Sequence, residues 1–155
     1  MINEEIKKKI QKLPEDAAPF LSFEPTMKSV SDTYEVKNKE LDNFIYIGAD
    51  GEGNPISINL EDNQIYFLDH ENSFTPYYMN KNIDDLMMFL SLYEKHIENI
   101  QEKYGEDAYM DFQYPISEIE TLKNDFNKID KTSTDENSFW GSTIMNDKAI
   151  VESEQ

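Results

Sequence analysis

Apolar residues recur every three or four positions at the start of the chain, placing Ile2, Ile6, Ile10 and Leu13 on one stripe of a short helix. Asn3 is its cap, Glu4 and Glu5 occupy the first turn, and Lys7, Lys8, Lys9 and Lys12 lie towards the end where the helix dipole favours cations. Pro14 stops it. From Pro14 to Phe23 two prolines bracket a small apolar cluster, which reads as a compact turn. The pattern is mixed between Glu24 and Asn43, and only Tyr34 and Val36 alternate well enough for a short strand.

The centre alternates with period two. Phe44 to Ile47 reads as a strand ended by the glycine-rich turn Gly48 to Asn54, Pro55 to Leu60 as a half-buried strand, and Gln64 to Leu68 as a third after the polar turn at Glu61. A loop through Asp69, His70, Glu71 and Asn72 leads to Tyr77, Tyr78 and Met79. Such short connections imply an antiparallel meander. Asn82 then caps a long helix with Asp84 and Asp85 in its first turn. Its stripe is Ile83, Leu86, Met87, Leu90, Tyr93, Ile97, Ile100 and Tyr104, and Gly105 closes it. Ser117 with Glu120 forms a capping box for another helix that turns Ile119, Leu122, Phe126 and Ile129 inward. Lys131 to Asn137 is polar and reads as flexible. Phe139 and Trp140 open a last amphipathic stretch. The expected fold class is α+β, a single domain over 1–149 in which helices flank a twisted meander, with 150–155 a frayed acidic tail.

Composition narrows the functions available. The 155 residues include 9 Phe, 9 Tyr and 1 Trp, enough aromatic mass for a folded core. The net charge is −18, and every one of the 14 cations is Lys. Such a surface repels phosphates and anionic headgroups, so neither nucleic acid nor membrane is an expected partner. No apolar run approaches the roughly 18 residues of a spanning helix. The N-terminal lysines are followed by no apolar stretch of the secretory kind. Cysteine is absent, which removes disulfides, thiol nucleophiles and thiolate metal sites. The chain reads as cytoplasmic.

Candidate chemistry is sparse. Asp50, Glu52, Asn54 and Glu61 fall at positions one, three, five and twelve of a calcium loop, but Pro55 stands where that loop needs glycine and the flanks read as strands, so the segment reads as a glycine-permissive hairpin. Asp69, His70 and Glu71 would suit a mononuclear metal site or an acid–base pair. A single imidazole with no second ligand nearby reads better as a solvated loop. His96 falls on the polar side of the long helix and is expected to be exposed. Phosphate-cradling and nucleophile-elbow motifs are absent, and no metal or cofactor is expected. What remains is a dense negative charge, which either steers a cationic protein partner or only keeps the chain soluble.

Several segments together resemble the SUKH superfamily. They are the opening helix with Leu13-Pro14-Glu15-Asp16-Ala17-Ala18-Pro19-Phe20-Leu21-Ser22-Phe23, the strand–glycine turn–strand from Ile47 to Ile58, the strand Ile65 to Glu71, the polar cap Met79 to Ile83, and the aromatic pair Phe139-Trp140. Lys81 and Asn82 stand where that family places serines. The resemblance implies a twisted sheet covered by helices, no catalytic residues, and a structural role for the turn glycines, Asn54 and Pro55. It also implies that the chain acts as an immunity protein, inhibiting by binding a polymorphic toxin, as bacterial members do, many against nucleases. The expectation is therefore a non-enzymatic antitoxin that occludes a basic toxin domain. Its contacts are expected at Asp50, Glu52, Glu61, Asp62, Asp69 and Glu71, with Tyr77 and Tyr78 as aromatic anchors. A regulatory scaffold for another cellular protein, as in fungal relatives, and a small metal-dependent enzyme using His70 are the alternatives.

Overall fold

The Asn3 side chain accepts the Ile6 N–H at 2.9 Å and opens helix α1 (Glu4–Ile10), as the stripe predicts. The computed structural model describes residues 2–155. The fold is α+β: an antiparallel sheet in the order β1-β2-β3-β4-β5-β6, each strand paired with its neighbour in sequence, together with five α-helices among the described residues. None of these helices is long and apolar enough to cross a membrane. The chain divides into two compact units, 1–87 and 88–155.

Two strands of the sheet lie where the pattern suggests none. The expected turn between Pro14 and Phe23 is a small hairpin, β1 (Asp16–Ala17) and β2 (Leu21–Phe23). β2 pairs with β3 (Phe44–Asp50), matching Leu21 to Asp50 and Phe23 to Gly48. Gly48 therefore lies inside a strand and does not begin the turn. A Cβ there would sit 2.4 Å from the Ser22 carbonyl oxygen, so only glycine lets β2 approach. After β3 come β4 (Pro55–Asn59), β5 (Ile65–Asp69) and β6 (Thr75–Asn80).

The strand suggested by Tyr34 and Val36 is instead helix α2 (Val30–Tyr34), capped by Ser29, whose hydroxyl accepts the Asp32 N–H at 3.1 Å. Val30 and Tyr34, four residues apart, face the sheet together with Leu41, Val36 and Phe74. Across the strands the register aligns Tyr46, Ser57, Tyr66 and Tyr78 in one row on this face. The opposite face carries the fully buried Ile56, Ile58 and Ile65. β4 is thus buried on both faces from Pro55 to Ile58, not half-buried: aromatic rings close over its polar face, and Ser57, 0 % exposed, donates its hydroxyl to the Tyr66 carbonyl.

Helix α3 (Ile83–Tyr104) begins where Asn82 accepts the Asp85 N–H at 2.8 Å and ends at Gly105, whose φ of +120° a side chain would oppose. The second unit contains its larger part, α4 (Ile116–Ile129) and α5 (Phe139–Ser153). Phe89 stacks on Phe126 at 4.1 Å, and Trp140 lies within 5.8 Å of Phe89, Tyr93 and Phe126. The capping box of Ser117 and Glu120 does not form. The helix starts earlier, after Pro115, and Glu120 pairs with Lys148 at 3.0 Å. The stretch from Lys131 is also ordered by hydrogen bonds: a 3-10 turn (Lys131–Thr134) is capped by Asp130 and buries Ser133. Instead of a frayed tail from 150, α5 continues to Ser153 because Val151 is buried.

Candidate functional site

Three turns of the sheet share one local design. The side chains of Asp50, Asn59 and Asp69 each accept the backbone N–H two residues ahead, at 3.0, 2.8 and 3.1 Å. The residues so placed are Glu52, Glu61 and Glu71, all exposed. A short carboxylate or amide that folds back onto its own turn thus sets a glutamate at the tip. The expected contact residues consequently separate into two kinds. Asp50, Asp62 and Asp69 are occupied by their own turns; Asp62 accepts both the Gln64 N–H and the Tyr66 hydroxyl. Glu52, Glu61 and Glu71 carry their charge outward.

Register also separates them in space. Successive turns of a meander alternate between its ends, so Glu61 and Asp62 lie at the far end of β4 from Glu52 and Glu71, about 16 Å away for a five-residue strand. Asp50, Glu52, Asp69 and Glu71 come together at one end. Tyr77 and Tyr78, both half-buried, are adjacent in β6 and point to opposite faces, Tyr78 into the tyrosine row and Tyr77 on the side of Ile56. They cannot anchor one partner surface together.

Asn54 locks the two turns of the acidic end. It is 6 % exposed, its Nδ2 donates to Asp50 Oδ2 at 3.0 Å, and its Oδ1 accepts from the His70 backbone N–H at 3.0 Å and from His70 Nδ1. The amide orientation fixed by Asp50 makes His70 Nδ1 a donor. His70 is therefore a half-buried structural link and not a solvated loop residue. Among the described residues no group of three His, Asp or Glu side chains is placed to hold a metal ion. Asn54→Ala should cost about 2 kcal/mol, since it strands a carboxylate oxygen and two His70 donors in a confined site. Urea unfolding checks this, and an unchanged midpoint would mean that the turns are not coupled through Asn54.

The charge of the strands and turns that build this sheet is one-sided along the chain. From residue 40 to residue 80 the chain has eight carboxylates and no lysine; all 14 lysines lie outside that stretch. The sheet and its turns thus concentrate the negative potential of the chain.

The second unit contains a polar cluster that the sequence pattern did not reveal. His96, expected to be exposed, is 8 % exposed. Its ring lies 5.7 Å from Tyr93, 6.3 Å from Tyr109 and 6.1 Å from Tyr114. Burial drives its pKa down to about 4 against a smaller opposing pull from Glu118, so the imidazole is neutral. Leu86, Phe89, Tyr93, His96 and Ile100 follow a three-four-three-four spacing that places His96 on the buried stripe, and this was the readable signal. The Tyr93 and Tyr109 hydroxyls meet at 2.6 Å, and Tyr93 reaches Asp147 Oδ2 at 3.1 Å. Burial raises the Asp147 carboxyl to about 6 and pushes the Tyr93 phenol far above its ordinary range. Beside His96 opens a cleft of about 390 Å³ containing Lys95, Asn99, Lys103 and Glu118. Within it Glu118 is already engaged, because its Oε2 accepts from Asn99 Nδ2 at 2.8 Å and pairs with Lys103 at 3.6 Å.

Compared with models of known protein families, with curated proteins and with solved structures, the chain matches none.

Proposed function

We propose that this chain is an immunity protein that binds a cognate toxin domain in the cytoplasm and neutralises it by covering a basic, nucleic-acid-degrading active site. The observation that carries this reading is the acidic end of the sheet, where two locked turns present Glu52 and Glu71 on a segment free of lysine. A nuclease cleft places cations where phosphates bind, and rigid carboxylates can occupy those positions with little ordering entropy lost on association. The resemblance to the SUKH superfamily supports the same reading. No side chain is asked to perform covalent chemistry: inhibition is stoichiometric and ends when the complex dissociates.

The test is co-expression with the C-terminal domain of a toxin encoded beside this gene, scored by growth rescue and by co-purification. The proposal expects both, and toxicity undiminished by the chain would overturn it. A partner encoded elsewhere and unrelated to toxins would move the chain to the regulatory-scaffold class. Binding should also weaken by roughly tenfold or more between low and high salt, mostly through slower association, because exposed charges are screened within a Debye length. An affinity indifferent to ionic strength would refute electrostatic capture.

A further inference from the structure

We infer that Phe20 is the apolar anchor of the acidic docking end, and that its occupant is a cationic protein surface in which lysine or arginine side chains surround a shallow apolar pocket. Phe20 is 71 % exposed, the most exposed large hydrophobic side chain among the described residues. Its neighbours Leu21 and Phe23 turn into the core while Phe20 stays outside, at the tip of the β1–β2 turn. Its backbone has φ +59°, a left-handed conformation that glycine or asparagine adopts with little strain and a bulky residue adopts only at some cost. Phenylalanine therefore stands here against both conformational preference and solvent.

Its position gives the ring a context. A Cβ built on Gly51 would lie 3.7 Å from Phe20 Cβ, so Phe20 stands beside the tip of the β3–β4 turn, one residue from Glu52. Asp50 is its neighbour through the Leu21 pairing, and the turn bearing Glu71 is tied to the same end through Asn54. An exposed aromatic group beside a turn that carries a glutamate, at the end of the sheet that also bears Glu71, has the composition of an interface hot spot with a charged rim. The charge selects the occupant. A second copy of this chain would bring the same negative end into contact and be repelled, an anionic membrane likewise, whereas a basic protein surface is attracted.

The inference rests on the partner-binding role proposed for this end, and the experiment separates the two. The full chain, labelled with nitrogen-15, is titrated with two short synthetic peptides of equal positive charge, one alternating Lys with Ser and the other Lys with Leu. Amide shifts should centre on Phe20, Gly51, Glu52 and Glu71 for both peptides, with the Lys–Leu peptide binding roughly tenfold tighter. Phe20→Asn, which tolerates the left-handed backbone and so guards against misfolding, should abolish that preference while retaining the weaker Lys–Ser binding. Glu52→Lys with Glu71→Lys should weaken both peptides. Shifts centred elsewhere, or a preference that survives Phe20→Asn, would overturn the anchor. If the peptides behave as expected but the toxin is not neutralised, the immunity reading fails and the anchor stands. If the toxin binds Phe20→Asn as well as the natural chain, the reverse holds.

Discussion

Gly141→Ala is expected to destabilise the protein by about 3 kcal/mol, reversing the sign this substitution normally has inside a helix. An ordinary helical glycine gains roughly 1 kcal/mol on becoming alanine. Here the added Cβ would lie 1.9 Å from the Asp135 carbonyl oxygen and 2.6 Å from that of Thr134, both backbone atoms. That backbone cannot easily withdraw. The Asp135 carbonyl accepts the N–H of Ser138 at 2.9 Å and its hydroxyl at 2.6 Å, and the same hydroxyl reaches the Ser133 carbonyl at 2.6 Å. Ser138 Oγ also caps α5 by accepting the Gly141 N–H at 3.1 Å. Relief of the clash must therefore break the cap or tilt the first turn of α5, moving Trp140 from its place among Phe89, Tyr93 and Phe126. In a chain of this length the loss corresponds to a fall in Tm of roughly 6–12 °C. A Tm that held or rose would mean that the 135–138 segment yields, and that the close approach is not required.

Gly141 also illustrates what is and is not readable in a sequence. Local signals located the long elements well: Asn82 and Gly105 bound α3, and the alternation from Phe44 and from Ile65 marks β3 and β5. The elements not foreseen are those whose cause is remote. β1 and β2, of two and three residues, are too short to have a period, and they exist because Gly48, far along the chain, admits them to the sheet. α2 is likewise a single capped turn. At the candidate site the acidic turns were legible as turns, but all their carboxylates looked alike. Which oxygens fold back onto the backbone, as those of Asp50, Asp62 and Asp69 do, depends on turn register as well as on a short side chain. The separation of Glu61 and Asp62 from Glu52 was readable, since a meander alternates its turns between two ends. The burial of His96 is legible too, because it lies on a stripe running through Phe89, Tyr93 and Ile100 even though an imidazole is polar.

The buried groups of the second unit make opposite contributions to stability as pH changes, and Asp147→Asn should expose this. In the unfolded chain the Asp147 carboxyl has its ordinary pKa of 3.8; in the folded protein burial raises it to about 6. The folded state therefore holds this proton more tightly, and the stability it confers is complete below pH 3.8 and lost as pH rises through 6. His96 runs the other way. Its pKa falls from 6.5 to about 4, so its contribution is complete above pH 6.5 and lost as pH falls through 4. The groups facing the two are few: Tyr93 and Tyr109 bond each other, Tyr93 donates to Asp147, and Glu118, bonded by Asn99 and paired with Lys103, is the charge nearest His96. Each contribution is on the order of 3 kcal/mol and their windows overlap, so between pH 4 and 6 they largely cancel. Asparagine at 147 still accepts the Tyr93 hydroxyl but never ionises. The difference in unfolding free energy between Asp147→Asn and the natural chain should be near zero at pH 4 and climb to about 3 kcal/mol in favour of the variant above pH 6. Taking that difference cancels every other titrating group, including the large change in net charge that acid brings to so anionic a protein. A difference that stayed flat across the range would mean that Asp147 titrates as it does in water, and that Tyr93 and Tyr109 enclose no buried carboxyl.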